Sequence, residues 1–302
     1  MENTKDSIFG KLILEVVDNI SRAGNRHKDG YISSGFITLD KYIGGIRPDS
    51  LCVIASRPGD GRTAFAISIA MNLAFGPDSV TVGFFSYEIS NKSIVERMIA
   101  NRAQIDMFSM HNGNPDPEIK TRIMETADYL YSRSKNFIIQ DSPGLTLDKL
   151  SSQIRDMAYK NSVKVVFIEG YGLVGQENFN LQKIDRNTAV CRALSLLAKE
   201  LDIAIICVCP LHTGGRRRPP LMEDLREFGL IDRFADCILF IDDSSRYIPL
   251  NTLTMDDNDD EPPYNFRRRK VIVAKTKYGY TGVFNMDYDE KHSLFRDIES
   301  PL

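Results

Sequence analysis

The strongest constraint on the fold is a series of short apolar runs spread along the chain. Each run has the length of a strand, is rich in β-branched residues and is continuous, without the alternation that marks a half-exposed strand. The runs are LCVIAS (51–56), VTVGFFS (80–86), NFIIQD (136–141), VKVVFIE (163–169), IAIICVC (203–209), CILFID (237–242) and KVIVAK (270–275). Continuous runs are typical of strands buried on both faces of a sheet. The sequence therefore predicts a sheet covered on both sides.

Stretches with helical periodicity separate these runs. They are TAFAISIAMNLAF, SNKSIVERMIANRA, TLDKLSSQIRDMAYKN and NTAVCRALSLLAKEL. Strands that alternate with helices favour an α/β fold, in which a mostly parallel sheet is flanked by helices. In such folds ligands bind beyond the carboxyl ends of the strands. Functional side chains are therefore expected just after each apolar run.

The composition of the 302-residue chain allows one large domain with a short appendage. Its formal net charge of −3 gives no general attraction for nucleic acid, so a polyanion contact requires a local basic cluster. The five cysteines show no CxxC spacing and lie mostly in apolar runs, which predicts buried side chains in a reducing compartment. No apolar stretch approaches the ~20 residues that span a bilayer, and the N-terminus lacks a signal-peptide core. These observations predict a cytoplasmic protein without membrane contact.

Residues 7–22 place apolar side chains at roughly helical spacing, and the following AGNRHKDG breaks the pattern. The apolar positions are Ile8, Leu12, Leu14, Val16 and Ile20. A lone helix of this length is marginal in water, so its apolar face is expected to dock on its own domain or on a neighbouring subunit. We interpret residues 1–28 as a linker helix and linker that precede the α/β domain of residues 29–302.

The loop after the first apolar run matches a phosphate-binding loop at some positions only. The usual pattern is G-x-x-x-x-G-K-[ST]. The corresponding window contains Ser56, Arg57, Pro58, Gly59, Asp60, Gly61, Arg62 and Thr63. Gly61 and Thr63 match, whereas Ser56 and Arg62 do not. A glycine-containing turn that opens a helix offers backbone N–H groups and a positive helix end to phosphate, although an ordinary strand-to-helix turn would fit the same residues taken alone.

Two acidic residues follow other apolar runs. Glu88 lies just after the second run, in FFSYEIS, where a carboxylate could polarise a water that attacks a phosphoryl group. Glu169 ends the fourth run, in VVFIEG, which is a suitable context for a carboxylate that holds hydrated Mg²⁺. Each acid alone could equally cap a helix. Their occurrence at neighbouring strand ends together with the loop favours a nucleotide site.

Basic residues follow two further runs. Arg216, Arg217 and Arg218 form a compact cluster in a Gly/Pro-rich loop after the fifth run, where they could contact a phosphodiester backbone. A solvated charge cluster is the alternative. Lys275 and Lys277 end the last run, in VIVAKTKYGYTG.

Several segments, in order and with matching spacing, resemble one known family. They are SSGFITLDKYIGGIRPDSLCVIASRPGDGRTAFA, FFSYEIS, FIIQDSPGLTLDKL, LLAKELDIAIICV, PPLMEDLREFGLIDRFADCILF and VIVAKTKYGYTG. Over about residues 29–290 the chain resembles the C-terminal motor domain of DnaB-type replicative helicases, which are hexameric RecA-like ATPases. The resemblance implies a RecA-like P-loop NTPase core in residues 29–302. It also implies that residues 7–22 match a linker helix that packs on the adjacent subunit, and that the family's N-terminal primase-binding domain is missing here.

The resemblance also implies cofactors, roles and partners. ATP and Mg²⁺ would bind the loop from Ser56 to Thr63, with Thr63 and the Walker B residue Glu169 on the metal and Glu88 as catalytic glutamate. Lys275 and Lys277 would point toward the nucleotide of a neighbouring subunit in a homo-oligomeric ring, a hexamer in the family. The loops after Glu169 and after the fifth run would contact single-stranded DNA. A replicative helicase, a helicase loader or a primase would be a further partner.

The departures from the family pattern concern catalysis. They are Arg62 for the Walker lysine, Glu169 for an aspartate, Gly172 for a glutamine after Walker B, Pro210 for the sensor glutamine and Lys277 for the finger arginine. Arginine keeps the charge of lysine but is longer, planar and forked, so its fit around the phosphates differs. We expect nucleotide binding to persist and hydrolysis to be impaired.

Three functions remain open on these grounds. One is a DNA-stimulated ATPase that moves 5′ to 3′ on single-stranded DNA as a ring. The second is a catalytically inactive helicase-like subunit that binds and regulates a replicative helicase or DNA. The third is another RecA-like ATPase, such as a recombinase relative, against which the DLRE and SPGLTL segments argue.

Overall fold

The computed structural model of the chain describes residues 9–14, 17, 30–112, 116–141, 146–175, 182–211, 218–243 and 266–298. The strands are β1 (Leu51–Ser56), β2 (Thr81–Ser86), β3 (Phe137–Asp141), β4 (Val163–Glu169), β5 (Ala204–Pro210), β6 (Cys237–Asp242), β7 (Phe266–Thr276), β8 (Gly282–Asp289) and β9 (Leu294–Asp297). Within the described residues they form one sheet in the order β3-β2-β4-β5-β1-β6-β7-β8-β9. All seven apolar runs are confirmed as strands, and β8 and β9 are added to them.

The sheet is parallel over two thirds of its width. Neighbouring strands from β3 to β6 in this order are parallel. The β6–β7, β7–β8 and β8–β9 pairs are antiparallel. The prediction of a mostly parallel sheet is thus confirmed, but the carboxyl end of β7 lies at the opposite edge from the carboxyl ends of the parallel strands.

Helices cover both faces. They are α1 (Ile37–Ile43), α2 (Arg62–Phe75), α3 (Asn91–Ala103), α4 (Met107–Asn112), α5 (Pro117–Ser132), α6 (Leu147–Asn161), α7 (Lys183–Leu201) and α8 (Ile231–Phe234), with 3₁₀ turns at Ser134–Asn136, Tyr171–Leu173 and Met222–Phe228. Alternate residues of β1 enter different cores: Cys52 and Ile54 pack with α2 and α3, whereas Val53 and Ala55 pack with α6 and α7. Two apolar layers explain why the central strands are continuously hydrophobic.

The edge strand β3 departs from this pattern. Its first four residues are only partly buried and Asp141 is exposed, although its sequence is apolar. It has one partner, β2, because it ends the strand order. The expectation of burial on both faces is therefore wrong for this strand, since an edge position leaves one side without a neighbouring strand.

The N-terminal segment is helical where the structure describes it, at residues 9–14 and 17. Its apolar side chains are exposed, with Phe9 73%, Leu12 51% and Leu14 55% accessible. The rest of the predicted helix, including Ile8, Val16 and Ile20, lies outside the described residues. The five cysteines are all buried and free, in agreement with the sequence analysis. None of the described helices combines the length and hydrophobicity needed to cross a bilayer.

Candidate nucleotide-binding site

The loop between β1 and α2 is shaped by glycines. Gly59 and Gly61 have φ angles of 84° and 100°, and Gly61 is the N-cap residue that directly precedes α2. A Cβ atom at Gly61 would lie 3.1 Å from the Phe295 ring and 3.2 Å from the Tyr288 ring. Positive φ and this close approach both favour glycine. The first amides of α2 are thus presented beyond the carboxyl end of β1, as anion binding at a helix N-terminus requires.

Arg62 and Glu88 form an ion pair across the site. Arg62 Nη2 lies 2.9 Å from Glu88 Oε2, and the two side chains are 13% and 29% exposed. Three strand spacings, about 14 Å, separate β1 from β2 in the sheet. The long Arg62 side chain and the loops that follow β1 and β2 together span this distance. The predicted phosphate-binding cation and the predicted catalytic carboxylate therefore contact each other.

Glu169 is the buried acid of the site, with 1% of its surface exposed. Thr63 Oγ1 donates to Glu169 Oε1 over 3.2 Å, while Ser86 Oγ and the Glu88 N–H approach Oε2 at 3.5 and 3.3 Å. Burial and the nearby Glu88 carboxylate raise the pKa of Glu169, against the opposing effects of Arg62 and the hydrogen bonds. The loop, the β2 end and the β4 end thus converge on one carboxylate.

Gly170 allows this convergence. It has a φ of 77°, and a Cβ atom there would lie 2.9 Å from Glu88 Cγ and 3.1 Å from the Glu88 nitrogen. The Tyr87 N–H donates to the Glu169 carbonyl over 3.0 Å, which extends the β2–β4 pairing into the turns. A larger residue at position 170 would displace Glu88 from its place above Glu169.

The residues present fit a magnesium nucleotide. Mg²⁺ in nucleotide sites is usually held by one or two carboxylates with phosphate and water, so the adjoining Thr63 hydroxyl and Glu169 carboxylate suffice on the protein side. Arg62 supplies positive charge at the helix start. Its Nε is buried and has no hydrogen-bond acceptor among the described residues. The site therefore has an uncommitted donor beside the loop.

Arg57 contacts the end of β6 and the segment after β5. It is buried, its Nη1 lies 3.2 Å from Asp242 Oδ1, and its Nη2 donates to the Arg218 carbonyl. The Asp60 side chain is also fully buried. Asp242 is not among the predicted site residues, although it ends an apolar run just as Glu169 does. Both residues are acids at the end of a buried strand, and this pattern could have identified Asp242 as well.

The end of β5 lies beside the phosphate loop. Pro210 pairs with Ser56 in the sheet, so it stands next to the start of the phosphate loop. Arg218 binds Asp224 through Nη1 and Nη2 at 2.7 and 2.8 Å and Glu223 at 2.8 Å. These acids occupy much of the Arg218 guanidinium. Arg216 and Arg217 lie outside the described residues.

Lys275 and Lys277 do not join this site. Lys275 pairs with Ile238, which is aligned with Val53, so it lies about 10 Å from Ser56 along the strand direction. Lys277 lies further in that direction, because β7 runs antiparallel to β6. The expectation that functional residues follow the carboxyl ends of one parallel sheet is therefore wrong for these two lysines.

The two lysines contact other residues of this far edge. Lys275 Nζ donates to the Asp232 carbonyl over 2.9 Å, and Lys277 Nζ lies 3.6 Å from Asp236 Oδ1. The Lys277 side chain is 53% exposed. Contact with Tyr278, with a smaller effect of Asp236, raises the pKa of Lys277. About half of the Lys277 side chain is therefore open to solvent.

A parallel sheet with a glycine loop after β1 and acids after β2 and β4 defines a P-loop domain with the RecA-like fold. The chain belongs to the DnaB-like helicase C terminal domain family, whose sequence profile matches residues 31–297. The chain is therefore assigned to this family and not to the recombinase relatives considered in the sequence analysis.

Known relatives agree with this assignment. The replicative DNA helicase DnaB of Rickettsia conorii is 29% identical over 321 residues, which cover 99% of this chain and 64% of that protein. The chain therefore spans less than two thirds of that relative. One solved structure of an isolated ATPase domain has a TM-score of 0.81 at 24% identity, covering 97% of this chain and all of that one. A DnaB-like replicative helicase studied with its interactions with primase has a TM-score of 0.78 at 24% identity, covering 97% of this chain and 68% of that one.

Proposed function

We propose that this chain is a helicase motor domain that binds Mg²⁺-ATP at the phosphate loop and single-stranded DNA through the loop after β5, and that it hydrolyses ATP slowly. The observation that carries the proposal is the 2.9 Å ion pair between Arg62 and Glu88. It lies at the site where family members are expected to bind nucleotide, and it engages both residues on which hydrolysis depends.

Nucleotide binding is supported by the geometry of the loop. The amides at the start of α2 suit phosphate oxygens, and the Thr63–Glu169 pair suits hydrated Mg²⁺. Arg62 in this proposal turns from Glu88 toward the phosphates, which moves its charge and its Nη2 donor away from the carboxylate. The nucleotide therefore competes with Glu88 for one guanidinium.

Slow hydrolysis follows from the same competition. A positioned base contributes about 10²–10⁴-fold to a rate. Charge-assisted hydrogen bonds are among the stronger contacts in proteins, so Arg62 should return to Glu88 in part of the nucleotide-bound molecules, and in those molecules the Glu88 carboxylate is not free to orient the attacking water. Pro210 adds to the effect because it has no side-chain hydrogen bond with which to sense the terminal phosphate.

The proposed assembly is a homo-oligomeric ring, a hexamer as in the family, that moves 5′ to 3′ on single-stranded DNA. The far edge of the sheet supports an assembly, because Lys275 and Lys277 lie away from the phosphate loop of their own chain. A neighbouring copy would bring its nucleotide to them. A loader or a primase is a further candidate partner.

Equilibrium binding tests the proposal. A fluorescent ATP analogue and a fluorescein-labelled oligothymidylate should both bind, the analogue only with Mg²⁺. Thr63→Val should weaken Mg²⁺-dependent binding, whereas Thr121→Val should not, because the Thr121 hydroxyl donates to the Pro117 carbonyl on the exposed face of α5. Absence of Mg²⁺-dependent binding by the unmodified protein would overturn the proposed function.

A second candidate is a catalytically inactive subunit that regulates an active replicative helicase. Pro210, in register with Ser56 beside the nucleotide site, favours it. Mixing the chain with an active helicase separates the two. A regulatory subunit should change the unwinding rate of that helicase while releasing no phosphate itself, and DNA-stimulated phosphate release by the purified chain alone would exclude it.

A further inference from the structure

Two of the five cysteines lie directly opposite each other in the sheet. Cys52, the second residue of β1, is in register with Cys237, the first residue of β6. Because neighbouring strands lie about 4.8 Å apart, the separation of the two Cα atoms falls within the range of about 4.4–6.8 Å that disulfides require. Both side chains enter the same apolar layer, which packs with α2 and α3. The two thiols therefore lie side by side on one face of the sheet, as free cysteines.

Backbone contacts hold the starts of these two strands together. The Asp236 N–H donates to the Leu51 carbonyl over 2.8 Å, and the Leu51 N–H donates to Asp236 Oδ2 over 3.1 Å. These residues directly precede the two cysteines. A bond between the sulfur atoms would therefore join two strands that are already fixed in register.

The two thiols differ in acidity. A hydrogen bond with Cys237 lowers the pKa of Cys52, burial opposes this effect, and the Ser50 hydroxyl, 3.7 Å from Cys52 Sγ, supports it. The Asp236 carboxylate also acts to raise the pKa of Cys52. The hydrogen bond with Cys52, together with burial, raises the pKa of Cys237. Since the thiolate is the nucleophilic form of cysteine, Cys52 is the more reactive member of the pair.

The pair borders a small cavity at the amino edge of the sheet. Cys52 is 9% exposed and Cys237 is 8% exposed, whereas Cys191, Cys207 and Cys209 are fully buried. The cavity has a volume of about 20 Å³, and a polar cavity of about 10–15 Å³ or more holds a water molecule. Its lining also includes Arg47, Ser50, Asp236 and Lys277. A polar oxidant close to water in size can therefore reach these two thiols more readily than the other three.

We propose that Cys52 and Cys237 form a site of reversible oxidation by hydrogen peroxide, in which the two thiols become a disulfide. The Cys52 thiolate attacks one peroxide oxygen, the O–O bond breaks and hydroxide leaves, which produces a sulfenic acid at Cys52. The Cys237 sulfur then attacks the Cys52 sulfur and expels the second hydroxide. The two hydroxides take up the two thiol protons, so that two thiols and one peroxide give one disulfide and two water molecules. Such a bond suits the reducing compartment that the cysteine pattern predicts, because disulfides there are usually transient.

Thiol counting and peptide mapping of the purified chain test the proposal. The folded protein is treated with hydrogen peroxide, the remaining thiols are blocked with N-ethylmaleimide, and a non-reduced digest is examined by mass spectrometry. We expect free thiols to fall from five to three per chain, since one bond consumes two of them. The digest should contain a peptide pair joined through Cys52 and Cys237, and dithiothreitol should restore all five thiols. Neither nucleotide nor DNA is needed, so the result is independent of the proposed function.

Cys52→Ala and Cys237→Ala should each abolish the joined peptide pair. Either variant serves if the other does not fold by thermal melting. Cys207→Ala is the matched control, because Cys207 is also buried in a central strand but is in register with Val53 and Ile168. This variant should form the bond as the unmodified protein does.

Three results would overturn the inference. One is a folded, peroxide-treated protein that keeps all five thiols. Another is a disulfide that joins two chains or other cysteines, or oxidation of Cys52 that leaves Cys237 as a free thiol. The third is loss of the bond in folded Cys207→Ala, which would mean that the reaction depends on general packing of the core and not on the opposed pair.

Discussion

The two edges of the sheet differ in how closely their charged and polar side chains contact one another within the chain. At the carboxyl edge of the parallel strands, Arg62, Thr63, Glu88 and Glu169 contact one another at 2.9–3.3 Å, and the central carboxylate is buried. At the amino edge, Lys277 is half-exposed and its acidic partner is 3.6 Å away. The first edge holds polar side chains that contact one another, whereas the second holds a lysine that is half open to solvent.

If the chain assembles as proposed above, this difference implies that neighbouring copies contribute different residues to turnover. A chain that completes its own nucleotide site needs no second copy to bind nucleotide. The amino-edge lysines can influence that chemistry only where another copy brings its carboxyl edge to them. A single chain should therefore bind nucleotide, whereas turnover should require the assembly.

Among these variants, Lys277→Ala at the amino edge should lower turnover the most. Charges supplied in trans to phosphoryl transfer contribute about 10³–10⁵-fold, and we expect a loss of turnover of about 10³-fold at the low end, because lysine lacks the bidentate geometry of arginine. Phosphate release by the assembled protein measures it. Lys164→Ala, an exposed lysine near the amino end of β4, is the control.

Mixing sharpens the same prediction. Rings formed from Lys277→Ala and Glu88→Gln chains contain interfaces with one intact Glu88 and one intact Lys277, and these should recover part of the turnover. If Glu88 and Lys277 acted within one chain, no chain of the mixture would carry both residues. The turnover of the mixture would then stay as slow as that of the two variants.

Glu88→Gln alone should lower turnover by about 100-fold or more, since a positioned base contributes about 10²–10⁴. Nucleotide affinity should rise in the same variant, because Arg62 is released from its ion pair. Phosphate release and titration with the fluorescent analogue give the two numbers. Unchanged or weaker nucleotide affinity would argue against competition for Arg62.

Arg62→Ala tests the binding role of the carboxyl edge. Hydrogen bonds to charged groups contribute about 1.5–3 kcal/mol, so the affinity for Mg²⁺-ATP should fall by about 10- to 100-fold. Arg155→Ala is a suitable control, because Arg155 forms its ion pair with the surface residue Glu200. An affinity equal to that of the unmodified protein would mean that Arg62 keeps its contact with Glu88 when nucleotide binds.

Gly61→Ala should give the smallest effect, on stability. A non-glycine residue at strongly positive φ costs about 1–3 kcal/mol, and the Cβ would also press on Phe295 at 3.1 Å. Gly30→Ala is matched, with a φ of 75° and no atom within 4 Å of the added carbon. Urea unfolding of both should show a larger loss for Gly61→Ala, and equal losses would mean that the ring contact contributes nothing.

The strands were predictable because burial on both faces leaves a continuous apolar pattern, and β1, β4 and β6 begin and end as predicted. β8 was not found, because it alternates exposed and buried residues, and β9 is only four residues long. The direction of β7 was not predictable either, since an apolar run carries no information about whether its neighbour is parallel.

The site was predictable to a similar extent. Glu88 and Glu169 follow apolar runs, which identified them as candidates. Their contacts depend on strand order, however: β2 and β1 are separated by β4 and β5, so nothing in the local sequence places Arg62 against Glu88. The inward turn of Arg57 toward Asp242 depends likewise on β6 lying beside β1.

The most direct test of the central claim is steady-state phosphate release by the unmodified protein and by Arg62→Lys, each with and without single-stranded DNA. Lysine is shorter and lacks the fork that holds Glu88, so Arg62→Lys should turn over faster, by about tenfold or more given the sensitivity of rates to alignment. Arg155→Lys, at the exposed pair with Glu200, should not change the rate. A DNA-stimulated rate in the unmodified protein that equals or exceeds that of Arg62→Lys would contradict the claim that the Arg62–Glu88 pair slows hydrolysis.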